Sequence, residues 1–180
     1  MVYMFLANGF EEIEALCPLD LLRRAGVEVT TVGIGGDKIT GSHGITVVAD
    51  IKDKKLKLTD IDMVILPGGM PGTTNLDESK TVHAAIDEAL KNDAYIAAIC
   101  AAPMVLGKRG LLNGKNAVCY PGFEKYLEGA IVPEDKKLVV DGKMITARGM
   151  GVALDFGLEL VSILCSKEKA DGLRSAVIAD

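Results

Sequence analysis

Cys100 stands where an apolar run stops. The segment Tyr95-Ile96-Ala97-Ala98-Ile99 has no polar alternation and fits a short, fully buried strand. Ala101, Ala102 and Pro103 follow, and Met104, Val105 and Leu106 read as a short helix ending near Gly107 or Gly110. Cys100 therefore falls on a strand-to-helix turn. Such a turn is a nucleophile elbow: small neighbours let the backbone crowd, and the side chain is pushed up above the sheet. Ala98 and Ala102 supply the small neighbours here, in places where glycine is more usual. The free N–H groups at the helix start are expected to favour a thiolate. An isolated cysteine is more often a buried structural residue, but the strand–Cys–small–small–Pro context argues against that here.

A nucleophilic thiol needs a partner that controls its proton. The cluster Glu11-Glu12-Ile13-Glu14 follows the first strand, at the edge of the sheet where Cys100 is expected. Glu11 and Glu12 read as first-turn acids that complement a helix dipole. For Glu14 two readings stay open: another such acid, or a carboxyl turned toward Cys100. The turn Pro67-Gly68-Gly69-Met70-Pro71-Gly72 ends another buried strand, Ile61 to Leu66. Its glycines allow either a plain sharp turn or inward N–H groups that could stabilise an oxyanion beside Cys100. The two histidines are poor bases for a Cys–His pair. His83 lies on a helix surface, and His43 sits in the loop Gly41-Ser42-His43-Gly44. Tyr120 and Arg148 each end an expected strand at the rim of a pocket, where either could also be structural.

The remaining elements must place these groups. Strand and helix signals alternate along the chain, which predicts βαβ units and a mostly parallel sheet. The readings in order are a strand at 2–7, a helix from Glu11 to Ala25, and strands at 27–32 and 45–48. Pro18 is expected to kink the first helix or remove one of its hydrogen bonds, and Gly26 to stop it. Gly33, Gly35 and Gly36 lack the full GxGxxG spacing and open no helix, so a dinucleotide site is disfavoured. The lysine-rich 52–55 segment reads as a solvated loop. Val82 to Leu90 forms an amphipathic helix capped by Ser79. A strand is expected at 117–120, then a helical turn at 123–127. Asp141-Gly142 reads as a hairpin turn between strands at 138–140 and 144–147. Helices follow through Phe156 to Leu164 and from Glu168 to Ile178.

Composition narrows the function. The 180 residues suit one domain over 1–180, and 49% hydrophobic residues with a mean hydropathy of +0.27 suit a buried sheet. A net charge of −5 without a basic run disfavours nucleic acid. No apolar run is long enough to span a membrane, and the start of the chain lacks a basic leader. The four cysteines are scattered without a CxxC pair, which argues against a zinc site or disulfide framework and points to a reducing cytoplasm.

Four blocks then carry a resemblance: Asn8 to Glu14, Leu66-Pro67-Gly68-Gly69, Ala97 to Pro103, and Thr146-Ala147-Arg148-Gly149. Together, and in this order, they resemble the signatures of the ThiJ/PfpI superfamily, on the DJ-type branch that includes protein deglycases. The resemblance implies a flavodoxin-like three-layer α/β/α sandwich and a homodimer, with no metal or other cofactor. It implies that Cys100 is the reactive, oxidation-prone cysteine and Glu14 a protonated carboxyl bonded to it. Gly69 and Ala101 match the oxyanion-hole positions, and Gly68, Tyr120, Arg148 and His43 are candidate pocket residues. The implied activity is that of a glyoxalase or deglycase acting on methylglyoxal or its adducts. The alternative is a redox sensor or redox-regulated chaperone working through oxidation of Cys100 to the sulfinic acid. Two departures stand out. Tyr120 occupies a position where the branch often has histidine, which disfavours a Cys–His protease. His43 stands where relatives often have arginine, replacing a fixed charge with a titratable one. No histidine-plus-glutamate pair follows the elbow, which disfavours glutamine amidotransferase chemistry.

Overall fold

A computed structural model describes residues 1–179. Seven strands form one sheet: β1 (Val2–Leu6), β2 (Val29–Gly33), β5 (Ile51–Lys52), β6 (Met63–Leu66), β7 (Tyr95–Ile99), β8 (Leu138–Asp141) and β9 (Met144–Ala147). Their order is β5-β2-β1-β6-β7-β9-β8, and all neighbours are parallel except β8 and β9. The helices are α1 (Glu12–Arg24), α2 (Gly72–Asp77), α3 (Lys80–Lys91), α4 (Pro103–Gly107), α5 (Ala153–Leu164) and α6 (Lys167–Ala176).

The apolar strands carry a core on each face, because successive side chains point to opposite sides. Tyr3, Phe5, Val64, Leu66, Ile96 and Ala98 pack with Val82, Ile86 and Ala89 of α3 and with Val105 of α4. Met4, Leu6, Met63, Ile65, Ala97 and Ile99 pack with Leu19 and Leu22 of α1 and with Phe156, Leu160 and Val161 of α5. The result is the expected flavodoxin-like sandwich of three layers. No helix among the described residues is long and apolar enough to cross a membrane.

Local chemistry explains the element ends. Ser79 accepts from the Val82 N–H at the start of α3. Gly26, at φ +83°, ends α1 in the left-handed conformation that glycine adopts freely. Gly142 turns the β8–β9 hairpin at φ +60°.

One sequence expectation needs correction, and two elements add to the reading. The segment 117–120 is not a strand: Ala117, Val118 and Tyr120 donate to three unrelated acceptors, Ile131 O, Thr146 Oγ1 and Cys100 O, so no ladder can form. The strand read at 45–48 lies outside the main sheet. It is β4 (Thr46–Val48), paired only with β3 (Lys38–Thr40) in a two-stranded hairpin. Helix α2 escaped the sequence reading because Gly72-Thr73-Thr74-Asn75-Leu76-Asp77 has no apolar period.

Helix α1 runs continuously through Pro18, which lacks the N–H that would bond back to Glu14. Pro18 and Leu21 also lie close against Gly157 of α5. A Cβ on Gly157 would lie 2.8 Å from Pro18 Cα and 2.7 Å from Leu21 Cδ1. Gly157→Ala is therefore expected to push the two helices apart and cost about 1–3 kcal/mol, read as a lowered urea midpoint with an unchanged slope.

Candidate active site

Parallel β6 and β7 end side by side, so the Gly68-Gly69 turn and the Cys100 turn share the C-terminal edge of the sheet. Cys100 has φ +65°, a left-handed conformation unusual for a residue with a Cβ and worth about 1–3 kcal/mol of strain. Backbone bonds hold it there. Its N–H donates to Ala147 O at 2.8 Å, and its carbonyl accepts from Tyr120 N–H at 2.8 Å. The elbow expected from the sequence is present, and the sulfur is partly accessible.

The turn after β6 fits only as glycine. A Cβ on Gly68 would lie 2.5 Å from both Cys100 Cβ and Glu14 Oε2. A Cβ on Gly69, at φ +91°, would lie 2.6 Å from the Phe10 carbonyl carbon. The Glu11 N–H donates to Gly68 O at 2.9 Å, tying this turn to the start of α1.

That tie carries Glu14 inward. Glu11 caps α1 by accepting from the Glu14 N–H at 2.7 Å, as its reading as a helix-start acid expects. Glu14 is 1% exposed, and its Oε2 lies above Gly68 beside Cys100. The carboxyl interacts with the Cys100 thiol and with the Gly68 and Met150 backbones. Oε2 has no protein partner at regular hydrogen-bond geometry, so the thiol contact is a loose one. Burial pushes Glu14 up to about 7.

The sulfur differs from expectation. Burial, followed by the nearby Glu14 carboxylate, pushes the Cys100 thiol up to about 12. The Gly69 and Ala101 amides pull the other way without prevailing. Helix α4 is too short, at five residues, to act as a strong dipole, and its Met104 amide turns back to Ala101 O. What the site builds is a thiol beside a carboxyl that changes charge near neutrality.

The other sequence candidates divide. Tyr120 is at the rim, 51% exposed, with its backbone on Cys100. Arg148 leaves β9 close by, but its guanidinium donates to the carbonyls of Pro133 and Glu134 at 3.2 and 3.1 Å. It holds a loop instead of facing Cys100. His43 is bound elsewhere: its Nδ1 is 2.9 Å from Glu12 Oε2, and its N–H donates to Glu12 Oε1 at 2.8 Å.

Glu12 was the residue missed by sequence reasoning. It is 3% exposed and anchors the β3–β4 hairpin, with the Ile45 N–H as a further donor. Burial alone would raise its pKa, but the bonds from His43 hold it below the usual value. Ligand atoms of Glu11, Glu12 and His43 fall within 4.8 Å of one another, a grouping with metal-ligand chemistry. The Glu12 oxygens are already engaged by the hairpin. The only sequence signal for Glu12 was its place beside Glu14 in an acidic cluster.

Comparison with known proteins places nearly the whole chain among relatives of one family. Residues 1–163 match the DJ-1/PfpI family. The chain is 36% identical over 177 residues to Protein dj-1beta of Drosophila melanogaster, covering 97% of this chain and 95% of that one. It is 32% identical over 163 residues to a Caenorhabditis elegans protein named glutathione-independent glyoxalase DJR-1.2, covering 91% and 87%. Among solved structures, oxidized DJ-1 of Toxoplasma gondii superposes with a TM-score of 0.90 at 33% identity, over 98% of this chain and 97% of that one. The chain belongs to the DJ-1/PfpI family.

Proposed function

We propose that this protein is a cysteine-dependent glyoxalase or deglycase for small α-dicarbonyls or the adducts they form, with Cys100 as nucleophile and Glu14 as proton donor and acceptor. The observation that carries this reading is a buried carboxyl, pushed up to about 7, facing an elbow cysteine. A base whose pKa lies near the working pH combines a useful charged fraction with proton-transfer driving force. The glyoxalase name of the C. elegans relative supports the substrate class.

The Cys100 sulfur adds to the aldehyde carbon while Glu14 relays the thiol proton to the new hydroxyl, giving a hemithioacetal. Glu14 takes the proton from that carbon and returns it to the neighbouring carbonyl carbon, while the hydroxyl proton on the first carbon passes to the oxygen on the second. The product is a thioester of a 2-hydroxy acid. Water then releases the acid and restores the thiol, so the net reaction adds one water and needs no external oxidant or reductant. The Gly69 and Ala101 amides, which act on the sulfur in the free protein, supply donors for the developing oxyanion.

Homodimerisation belongs to the same reading. Ile13, Ile45 and Val48 are exposed on α1 and on the hairpin that Glu12 ties to it, and burying them favours a second copy. Four free cysteines fit a reducing compartment such as the cytoplasm.

A redox role is the second reading, favoured by the partly accessible sulfur and by the oxidized state of the Toxoplasma structure. A protonated Glu14 would donate to a Cys100 sulfinate.

Three measurements test these readings. Cys100→Ser is expected to reduce lactate formation from methylglyoxal to background, and retained turnover would rule out the nucleophile. Glu14 works as the carboxylate, so kcat/KM should rise with pH through about 7. Glu14→Gln should lose about 100-fold or more together with that rise. After mild peroxide, intact mass should show two added oxygens on Cys100 in wild type and fewer in Glu14→Leu. Equal uptake in both would defeat the sensor reading.

A further inference from the structure

Tyr120 forms part of the rim in a way that bears on substrate choice. Its backbone is fixed to Cys100 O at 2.8 Å, yet half of the residue is exposed. Phe123 braces the ring edge-on, with centroids 6.5 Å apart and planes at 78°. Gly149 lies directly against it. A Cβ on Gly149 would lie 3.3 Å from Tyr120 Cδ2 and 3.7 Å from Glu14 Oε1. The aromatic ring and the Glu14 carboxyl therefore meet at Gly149, where an added side chain would crowd the ring. Met150 follows directly and is 53% exposed. The cation expected at this rim is withdrawn, because Arg148 is held by Pro133 and Glu134.

We propose that Tyr120 is a specificity-determining residue: its braced ring forms an apolar wall that favours α-oxoaldehydes with an aryl substituent over small ones such as methylglyoxal. This inference rests on the glyoxalase-type reading. An aryl group gains an aromatic contact with Tyr120 while its aldehyde carbon reaches Cys100. A methyl group is too short to use the wall. A charged substituent loses hydration here without meeting a counterion from Arg148.

The test compares kcat/KM for phenylglyoxal and methylglyoxal in wild type, Tyr120→Ala and Tyr120→Phe. Wild type should favour phenylglyoxal. Tyr120→Ala should lower the phenylglyoxal value about five- to tenfold, mostly through KM, the size of one aromatic pair contact. Methylglyoxal should lose several-fold less than phenylglyoxal, since it reaches less of the wall. Tyr120→Phe should keep the preference, since the hydroxyl plays no part, and this variant also guards against a folding artefact. An unchanged substrate ratio in Tyr120→Ala, or equal loss for both substrates, overturns the proposal.

A second readout does not depend on turnover. The rates at which iodoacetanilide and iodoacetamide alkylate Cys100 are compared by mass spectrometry. In each case the sulfur displaces iodide, forms the C–S bond and gives up its proton to solvent. Tyr120→Ala should lower the anilide-to-amide ratio several-fold, and an unchanged ratio overturns the wall. If wild type turns over neither aldehyde, the glyoxalase reading fails separately while this ratio still judges Tyr120.

Discussion

The rim of this sheet depends on three backbone turns approaching more closely than side chains permit. The Gly68-Gly69 turn lies between the Phe10-Glu11 peptide on one side and Cys100 on the other, and a methyl group at either glycine would overlap them. Because the turn is so thin, Glu11 can bond Gly68 O and start α1 directly over the elbow. Glu14, one turn into that helix, is then delivered to the sulfur without any loop of its own. The chemistry follows from this crowding: the same closeness that excludes side chains also excludes solvent, and exclusion of solvent raises both pKa values.

The electrostatic outcome is a division of labour between two acids. Backbone amides from Gly69 and Ala101 favour charge on the sulfur, while burial and the carboxylate oppose it. The carboxyl therefore changes charge near neutrality and the thiol does not. In the proposed reaction, such a pair would release a nucleophile as a proton moves to Glu14. This suits a reaction that shuttles one proton repeatedly between sulfur, oxygen and carbon. It also limits idle ionisation of a sulfur that peroxide would otherwise attack, since reactivity follows thiolate character.

Much of this was legible in the amino-acid sequence where local chemistry decides the outcome. The Tyr95–Ile99 strand, the turn at Cys100, the Ser79 cap and the Asp141-Gly142 hairpin are set by residues close in sequence, and all are present. The readings that failed depended on distant partners. Ala117 to Tyr120 has the composition of a strand, but its amides are claimed by Ile131, Thr146 and Cys100. Of the two readings open for Arg148, pocket or structural, the sequence could not choose, because the two loop carbonyls that take its guanidinium are distant in sequence. Glu12 read as an ordinary first-turn acid because nothing in its neighbours reveals the His43 loop folding over it. The acidity of Cys100 was misjudged for the same reason: a helix start is visible in sequence, but depth of burial is not.

The first turn of α1 is gripped on two sides. Glu12 holds the outlying hairpin, and two residues later Glu14 meets the sulfur. The helix start is thus a short rigid lever whose outer arm carries the exposed Ile45 and Val48. A surface that engages that arm would therefore sit one helix turn from the buried Glu14 carboxyl.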